Sequence, residues 1–459
     1  MSFNSLEFLV FFPIAVAAYF ALPQKARWAW LLSASCAFYM FFRPVYILIL
    51  AFTILVDYAA GIWMEDAPGR ASRGRLLALS ILANVGVLAF FKYYNFANEN
   101  LTGLAALFGR RNPIPYLNIL LPIGLSFHTF QAMSYTIEVY RGKQKAERHL
   151  GIYALYVMFF PQLVAGPIER PQNLLHQFHE EHELDFARAA EGLRLMLWGF
   201  FKKVVIADRA ALLVNRVVDS PAEHNGLTLL IAVYFFAFQI YCDFSGYSDI
   251  AVGAARIMGI DLMRNFDRPY VSRSASEFWR RWHLSLSTWF RDYLFTPLWR
   301  STREWGIAAL VGSLFATFLV SGLWHGANWT FVAWGGYHGV LLILNRMFEP
   351  WWGRVPMLLR RGVTFLLVTI GWVFFRSDSL TTATDWMKKM IGVGVGSVTA
   401  PEALILWVIG ALIIVNTVPE TWDIRFGLTP RWAAIYGAAF FLAYLFMNEK
   451  RTVFLYYQF

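Results

Sequence analysis

Apolar runs recur along almost the whole of this 459-residue chain, at 6–22, 28–42, 45–64, 76–91, 117–139, 152–168, 193–213, 227–256, 305–323, 328–347, 358–375, 403–418 and 431–447. Nothing else in the sequence constrains the fold as tightly. A run of about 20 apolar residues crosses the hydrocarbon of a bilayer as a helix, the one open-ended structure that pairs its own backbone groups there. The sequence therefore reads as an all-α integral membrane protein of about eleven transmembrane helices, with the shorter runs tilted, re-entrant or lying at the interface. Composition agrees, since 58% of residues are hydrophobic and 15% charged, against about a quarter charged in soluble chains. Disorder, a coiled coil and a secreted disulfide scaffold are excluded. The two cysteines, Cys36 and Cys242, both lie inside apolar segments, so no Cys-ligated metal centre is expected.

The formal net charge is +10, but the basic residues sit in short clusters between apolar runs. That pattern fits membrane topology and anionic lipid, and argues against nucleic acid. With the N-terminus outside, nine Lys and Arg residues of the first loops face the cytoplasm (Lys25, Arg27, Arg70, Arg73, Arg75, Arg141, Lys143, Lys145, Arg148) and four face outward (Arg43, Lys92, Arg110, Arg111). This asymmetry favours the N-out orientation. The first run lacks a basic leader and a small-residue cleavage site, so it reads as a retained span. Residues 169–191 are polar and carry His176, His179 and His182; they read as a wet interfacial helix in preference to a metal cluster, because no further ligand has a diagnostic spacing.

Three segments could carry chemistry. Residues 276–295 interleave tryptophans with charges; as one helix they pair Glu277 with Arg281 and set His283 one turn from Ser287. An ionisable group in such an environment needs a partner or a wet cavity, which makes function the default reading for His283. Between two apolar runs, Ser321-Gly322-Leu323-Trp324-His325-Gly326-Ala327-Asn328-Trp329 places His325 among glycines that let backbones approach closely. A neutral imidazole there suits a general base acting on a hydroxyl. His338 poses a weaker version of the same case. In Tyr241 to Asp249, Asp243 and Asp249 are carboxylates in an apolar segment, expensive unless paired; the arginines of 273–291 are the candidate partners, and an ion-pair network is favoured over acid–base work. Asp57 raises the same question. No G-x-S-x-G elbow, Walker loop, H-E-x-x-H or dinucleotide fingerprint occurs.

Asp243-Phe244-Ser245-Gly246-Tyr247-Ser248-Asp249, the Phe278 to Phe295 run and Gly322 to Trp329 together resemble the membrane-bound O-acyltransferase family, in its bacterial alginate O-acetyltransferase and D-alanyl transfer branch. Phe91 to Phe96, Leu121 to Phe127, Val139 to Gly142 and Ala165 to Ile168 extend the likeness over nearly the whole chain. The resemblance implies one membrane domain over 1–459, with a central tunnel joining a cytoplasmic donor side to an extracytoplasmic acceptor side. It carries His325 onto the family's invariant histidine and His283 onto the second. His325 is then the general base, while His283 orients the acyl carbonyl or moves a proton. Asp243, Asp249, Arg281, Ser287, Trp324 and Asn328 are supporting residues. The end of the chain, Phe454-Leu455-Tyr456-Tyr457-Gln458-Phe459, resembles the aromatic C-terminal motif of this branch; it implies a tail over 450–459 in an extracytoplasmic funnel, with Tyr456 as a covalent acyl relay. Two departures stand out: Thr296 to Arg303 replaces a glycine-rich basic turn, and His128 stands where many relatives carry a bulkier aromatic residue.

The resulting expectation is an inner-membrane O-acetyltransferase with no permanently bound cofactor and no metal. It would pass acetyl groups from acetyl-CoA, or another acyl thioester, to an exopolysaccharide such as alginate, with a periplasmic acetyltransferase partner completing transfer to the polymer. Cellulose or another surface polymer is the alternative acceptor. A proton-coupled transporter and a non-catalytic scaffold are the rivals from other classes, and the lack of internal repeats counts against the transporter.

Overall fold

A computed structural model describes residues 1–392, 429–447 and Leu455. The run at 403–418, Tyr456 and all of the 450–459 tail except Leu455 lie outside the described residues. All regular structure among those described is helical. The chain divides into two compact units, one formed by Met1–Met196 with Ser248–Met263 and the other by Leu197–Tyr247 with Arg264–Phe459.

Five helices among the described residues are long and apolar enough to cross a membrane, in place of the expected eleven or so: Pro44–Asp66, Arg70–Leu107, Gly226–Ile257, Ile307–His325 and Met357–Arg376. In four of the runs the shortfall has a local cause. The first two runs become α1 (Leu6–Ala21) and α2 (Gln24–Met40), of 16 and 17 residues, about 25 Å long at most. After α3 (Ile47–Asp66) and α4 (Arg70–Leu107), the run at 117–139 yields only the 16-residue α5 (Leu125–Tyr140). Gly124 caps it with φ +77°, and a Cβ there would stand 2.8 Å from the Leu163 carbonyl oxygen. The run at 152–168 breaks at Phe159 into α6 (Leu150–Met158) and the single turn Phe160–Leu163, because Pro161 cannot continue the ladder of α6. The interfacial helix expected over 169–191 is likewise broken, into two short turns, Pro171–Leu174 and Leu175–Phe178, and the start of a separate helix at Phe186.

In the first unit α3, α4 and α5 pack around a polar centre. Asp57 is fully buried and accepts from Ser80 Oγ at 2.6 Å and from Asn84 Nδ2 at 2.9 and 2.8 Å. Ser80 Oγ also lies 2.9 Å from Thr136 Oγ1, which bonds the Met133 carbonyl. Near its end α4 is tied to the following loop by Asn95, which donates to the Leu117 carbonyl at 2.7 Å and accepts the Leu117 N–H at 3.1 Å. In the second unit the residues after α7 (Phe186–Phe200) form a π-helical turn, Phe201–Ala207, before α8 (Asp208–Asp219) and α9 (Gly226–Ile257). Such turns recur where a helix is asked to present side chains for function.

Candidate functional site

The stretch read as one helix over 276–295 is broken. Ser274 caps α10 (Ala275–Trp279) by accepting the Glu277 N–H at 3.1 Å, and α11 (Leu284–Phe290) starts after His283. His283 sits in the left-handed region, φ +45° and ψ +57°, a conformation uncommon for residues other than glycine. Its ring is 0% exposed. Asn265 holds this corner: its carbonyl oxygen accepts the Leu284 N–H at 2.8 Å, and its Oδ1 accepts Ser285 Oγ–H at 3.0 Å and the Ser285 N–H at 3.3 Å. Because Oδ1 is an acceptor, the His283 Nδ1 lying 3.0 Å away carries the ring hydrogen. The imidazole is thus set with Nε2 as its basic nitrogen. Desolvation pushes its pKa down to about 3, so it is neutral at physiological pH.

His325 closes α12 (Ile307–His325), and the chain turns through extended Gly326 into α13 (Trp329–Trp352). The two helices touch backbone to backbone: a Cβ on Gly322 would lie 2.2 Å from the Phe331 carbonyl oxygen, and one on Gly335 would lie 2.3 Å from that of Phe318. That proximity seats His325, 4% exposed, among rings: Trp324 at 4.9 Å, Trp334 edge-on at 4.9 Å and Phe375 of α14 (Met357–Arg376) at 5.4 Å. Trp324 also stands 6.4 Å from the His283 ring. The structure therefore brings His283, Trp324 and His325 together. His338 is joined to the group through Trp334, 5.0 Å away, and fits over Gly371, where a Cβ would meet its Nε2 at 2.5 Å.

Among the supporting residues, Arg281 pairs with Glu277 as the spacing predicts, at 2.9 Å, and donates to the Asp267 carbonyl at 3.1 Å. Ser287 Oγ donates to the Trp282 carbonyl at 3.1 Å, not to the imidazole. Asn328 caps α13, accepting the Thr330 N–H at 3.0 Å and donating to the Asp378 carbonyl at 2.9 Å. Asp243 pairs not with the arginines of 273–291 but with Lys203, whose Nζ is 2.7 Å from Asp243 and 2.7 Å from Asp208. The second Asp243 oxygen accepts the Leu455 N–H at 2.8 Å. Asp249 is buried on α9, within the first unit. Sequence reasoning missed Lys203 and Asn265. A lysine inside the run 193–213 is a signal that could have paired it with Asp243, whereas nothing marks Asn265 before the corner is seen.

His179 meets Glu147 at 2.8 Å and His182 meets the Gln177 carbonyl at 2.8 Å; among the described residues no group of three or more His, Cys, Asp or Glu could hold a metal ion.

Residues 149–377 match the sequence profile of MBOAT, the membrane-bound O-acyltransferase family. The chain is 40% identical over 401 residues to a probable alginate O-acetylase, AlgI, of Pseudomonas aeruginosa, covering 86% of this chain and 75% of that one. It is 32% identical over 426 residues to a peptidoglycan O-acetyltransferase of Helicobacter pylori, covering 85% and 80%. It is 31% identical over 280 residues to a teichoic acid D-alanyltransferase of Bacillus subtilis, covering 57% and 70%.

Proposed function

Because this chain belongs to the membrane-bound O-acyltransferase family and is a multi-pass membrane acyltransferase, we propose that it supplies acetyl groups for O-acetylation of an exopolysaccharide such as alginate. The donor is acetyl-CoA on the cytoplasmic side of the inner membrane, and the N-terminus faces the periplasm. The observation that carries the reading is that His283 and His325 both neighbour one tryptophan, their rings 6.4 and 4.9 Å from that of Trp324, and both lie inside the matched residues.

In this reading His325 takes the proton of the acceptor hydroxyl as its oxygen attacks the thioester carbonyl; the carbon–sulfur bond then breaks and the proton passes to the departing thiolate. His283, neutral and with its tautomer set by Asn265, orients the carbonyl or relays the proton. Tyr456 is the first acceptor, forming an acetyl ester on its phenol. Support for that step comes from the neighbouring Leu455, which is buried with its N–H on Asp243. A periplasmic acetyltransferase partner then moves the group from the tyrosine to the polymer.

The test is peptide-resolved mass spectrometry of purified protein after incubation with acetyl-CoA. The expected result is an added acetyl on Tyr456 in the wild type and none in His325→Ala. Full polymer acetylation by Tyr456→Phe in cells would end the relay, and wild-type donor turnover by His325→Ala would end the assignment of the base.

A further inference from the structure

The first unit contains a small cavity at the broken run. It lies between the first turns of α5 and the bend after α6, and is lined by His128, Gln131, Gln162, Leu163 and Gly166 among others, with room for about one water-sized molecule. Its walls are apolar except for these imidazole and amide groups. His128 and Gln162 are 2% and 4% exposed.

The hydrogen bonds around both side chains fix which atoms remain. Thr53 Oγ1 donates its only hydrogen to the Leu50 carbonyl at 3.0 Å, so in its 3.2 Å contact with His128 Nε2 it accepts and the ring nitrogen donates. Nδ1 is then a bare lone pair, and the ring is neutral. Gln162 Nε2 donates to the Tyr156 carbonyl at 2.7 Å, which fixes the amide with Oε1 on the other side. Neither His128 Nδ1 nor Gln162 Oε1 has a protein partner, though both atoms are buried. Both side chains line the same small cavity, and each of these buried acceptors costs stability until a donor reaches it.

We propose that the cavity is a water site, in which one molecule donates one hydrogen to His128 Nδ1 and the other to Gln162 Oε1. Water has the right size and carries two donors. The site is peculiar to chains with an imidazole at 128: a phenyl ring would bring no lone pair.

The test uses the full chain in lipid nanodiscs, labelled with 15N-histidine. Solid-state correlation spectra are expected to show transfer from water protons to His128 Nδ1, identified by its absence in His128→Phe, and loss of that signal in Gln162→Met, which keeps the imidazole but removes the second acceptor. A cryo-EM map near 2 Å is expected to show one peak within hydrogen-bonding distance of both atoms. An Nδ1 signal without water transfer, or an empty cavity in that map, overturns the proposal. If His128→Phe fails to fold, Gln162→Met and the map decide alone.

Discussion

The two units bury ionisable groups in different company. In the first, Asp57 is met by Ser80 and Asn84 from the neighbouring helix, and Ser80 in turn touches Thr136 of a third; short polar side chains stitch helices together there. In the second, His325 is ringed by Trp324, Trp334 and Phe375, and His283 is held at Nδ1 by Asn265. Aromatic rings packed around an imidazole fix it in place. The first arrangement suits a scaffold and the second suits chemistry.

The largest effect should expose that contrast. His325→Ala is expected to lower donor turnover by about 10³-fold with little change in melting temperature, whereas Asp57→Ala is expected to cost about 1 to 3 kcal/mol of stability, because buried donors of Ser80 and Asn84 lose their acceptor. Turnover per folded molecule, measured with thermal melts of both variants, checks the pair; a stable but inactive Asp57→Ala would erase the distinction. Next comes Gly322→Ala, where a Cβ 2.2 Å from the Phe331 oxygen must push α12 and α13 apart. About 1 to 3 kcal/mol of destabilisation is expected, with a fall in turnover as His325 shifts.

A smaller effect tests positioning. Asn265→Ala removes the acceptor that sets the His283 tautomer and also releases Ser285; the hydrogen bond to the imidazole, about 1 to 1.5 kcal/mol, corresponds to about tenfold in rate. The measurement is turnover against pH, since freeing the tautomer should alter the profile and not only its height.

Two buried groups, one in each unit, should respond to pH in opposite senses. Burial holds His283 at about 3, below its usual 6.5, so the unfolded chain binds the extra proton between those values. Its contribution is whole above pH 6.5 and is lost on acidification toward 3, at about 1.4 kcal/mol per pH unit. Glu169 in the first unit is pushed up to about 7 by burial, against hydrogen bonds from Met263 and Asn173 that favour the anion. Its contribution is whole below pH 4.5 and is lost as pH rises toward 7. Melts of His283→Asn and Glu169→Gln across pH 4 to 8 should each flatten one side of the profile; the same side flattening in both would contradict the assignment.

The helical, membrane-embedded character was legible because it rests on run length and hydropathy alone. The number of spans was not, since an apolar run at 152–168 looks the same whether it crosses or breaks at Phe159 inside a protein core. At the site, His283 and His325 were visible as costly groups in apolar surroundings. Their setting was not. The corner at His283 depends on Asn265, eighteen residues earlier in the chain, and helical periodicity predicted Ser287 as its neighbour where the left-handed turn sends that hydroxyl to the Trp282 carbonyl. Asp243 was read as ion-paired, and it is, but with Lys203, because the π-helical turn at 201–207 carries that ammonium to the carboxylate.

Helix α4 has a consequence of its own. Its 38 residues amount to about 57 Å, nearly twice the roughly 30 Å of a hydrocarbon core, so with ordinary tilt several turns of it must stand in water. Asn95 ties part of its C-terminal half to the chain that follows, and Leu107 at its end is 82% exposed. The molecule thus carries a stiff mast fixed to its scaffold. A label at the tip would report, from one side of a sealed vesicle, which way the whole protein faces.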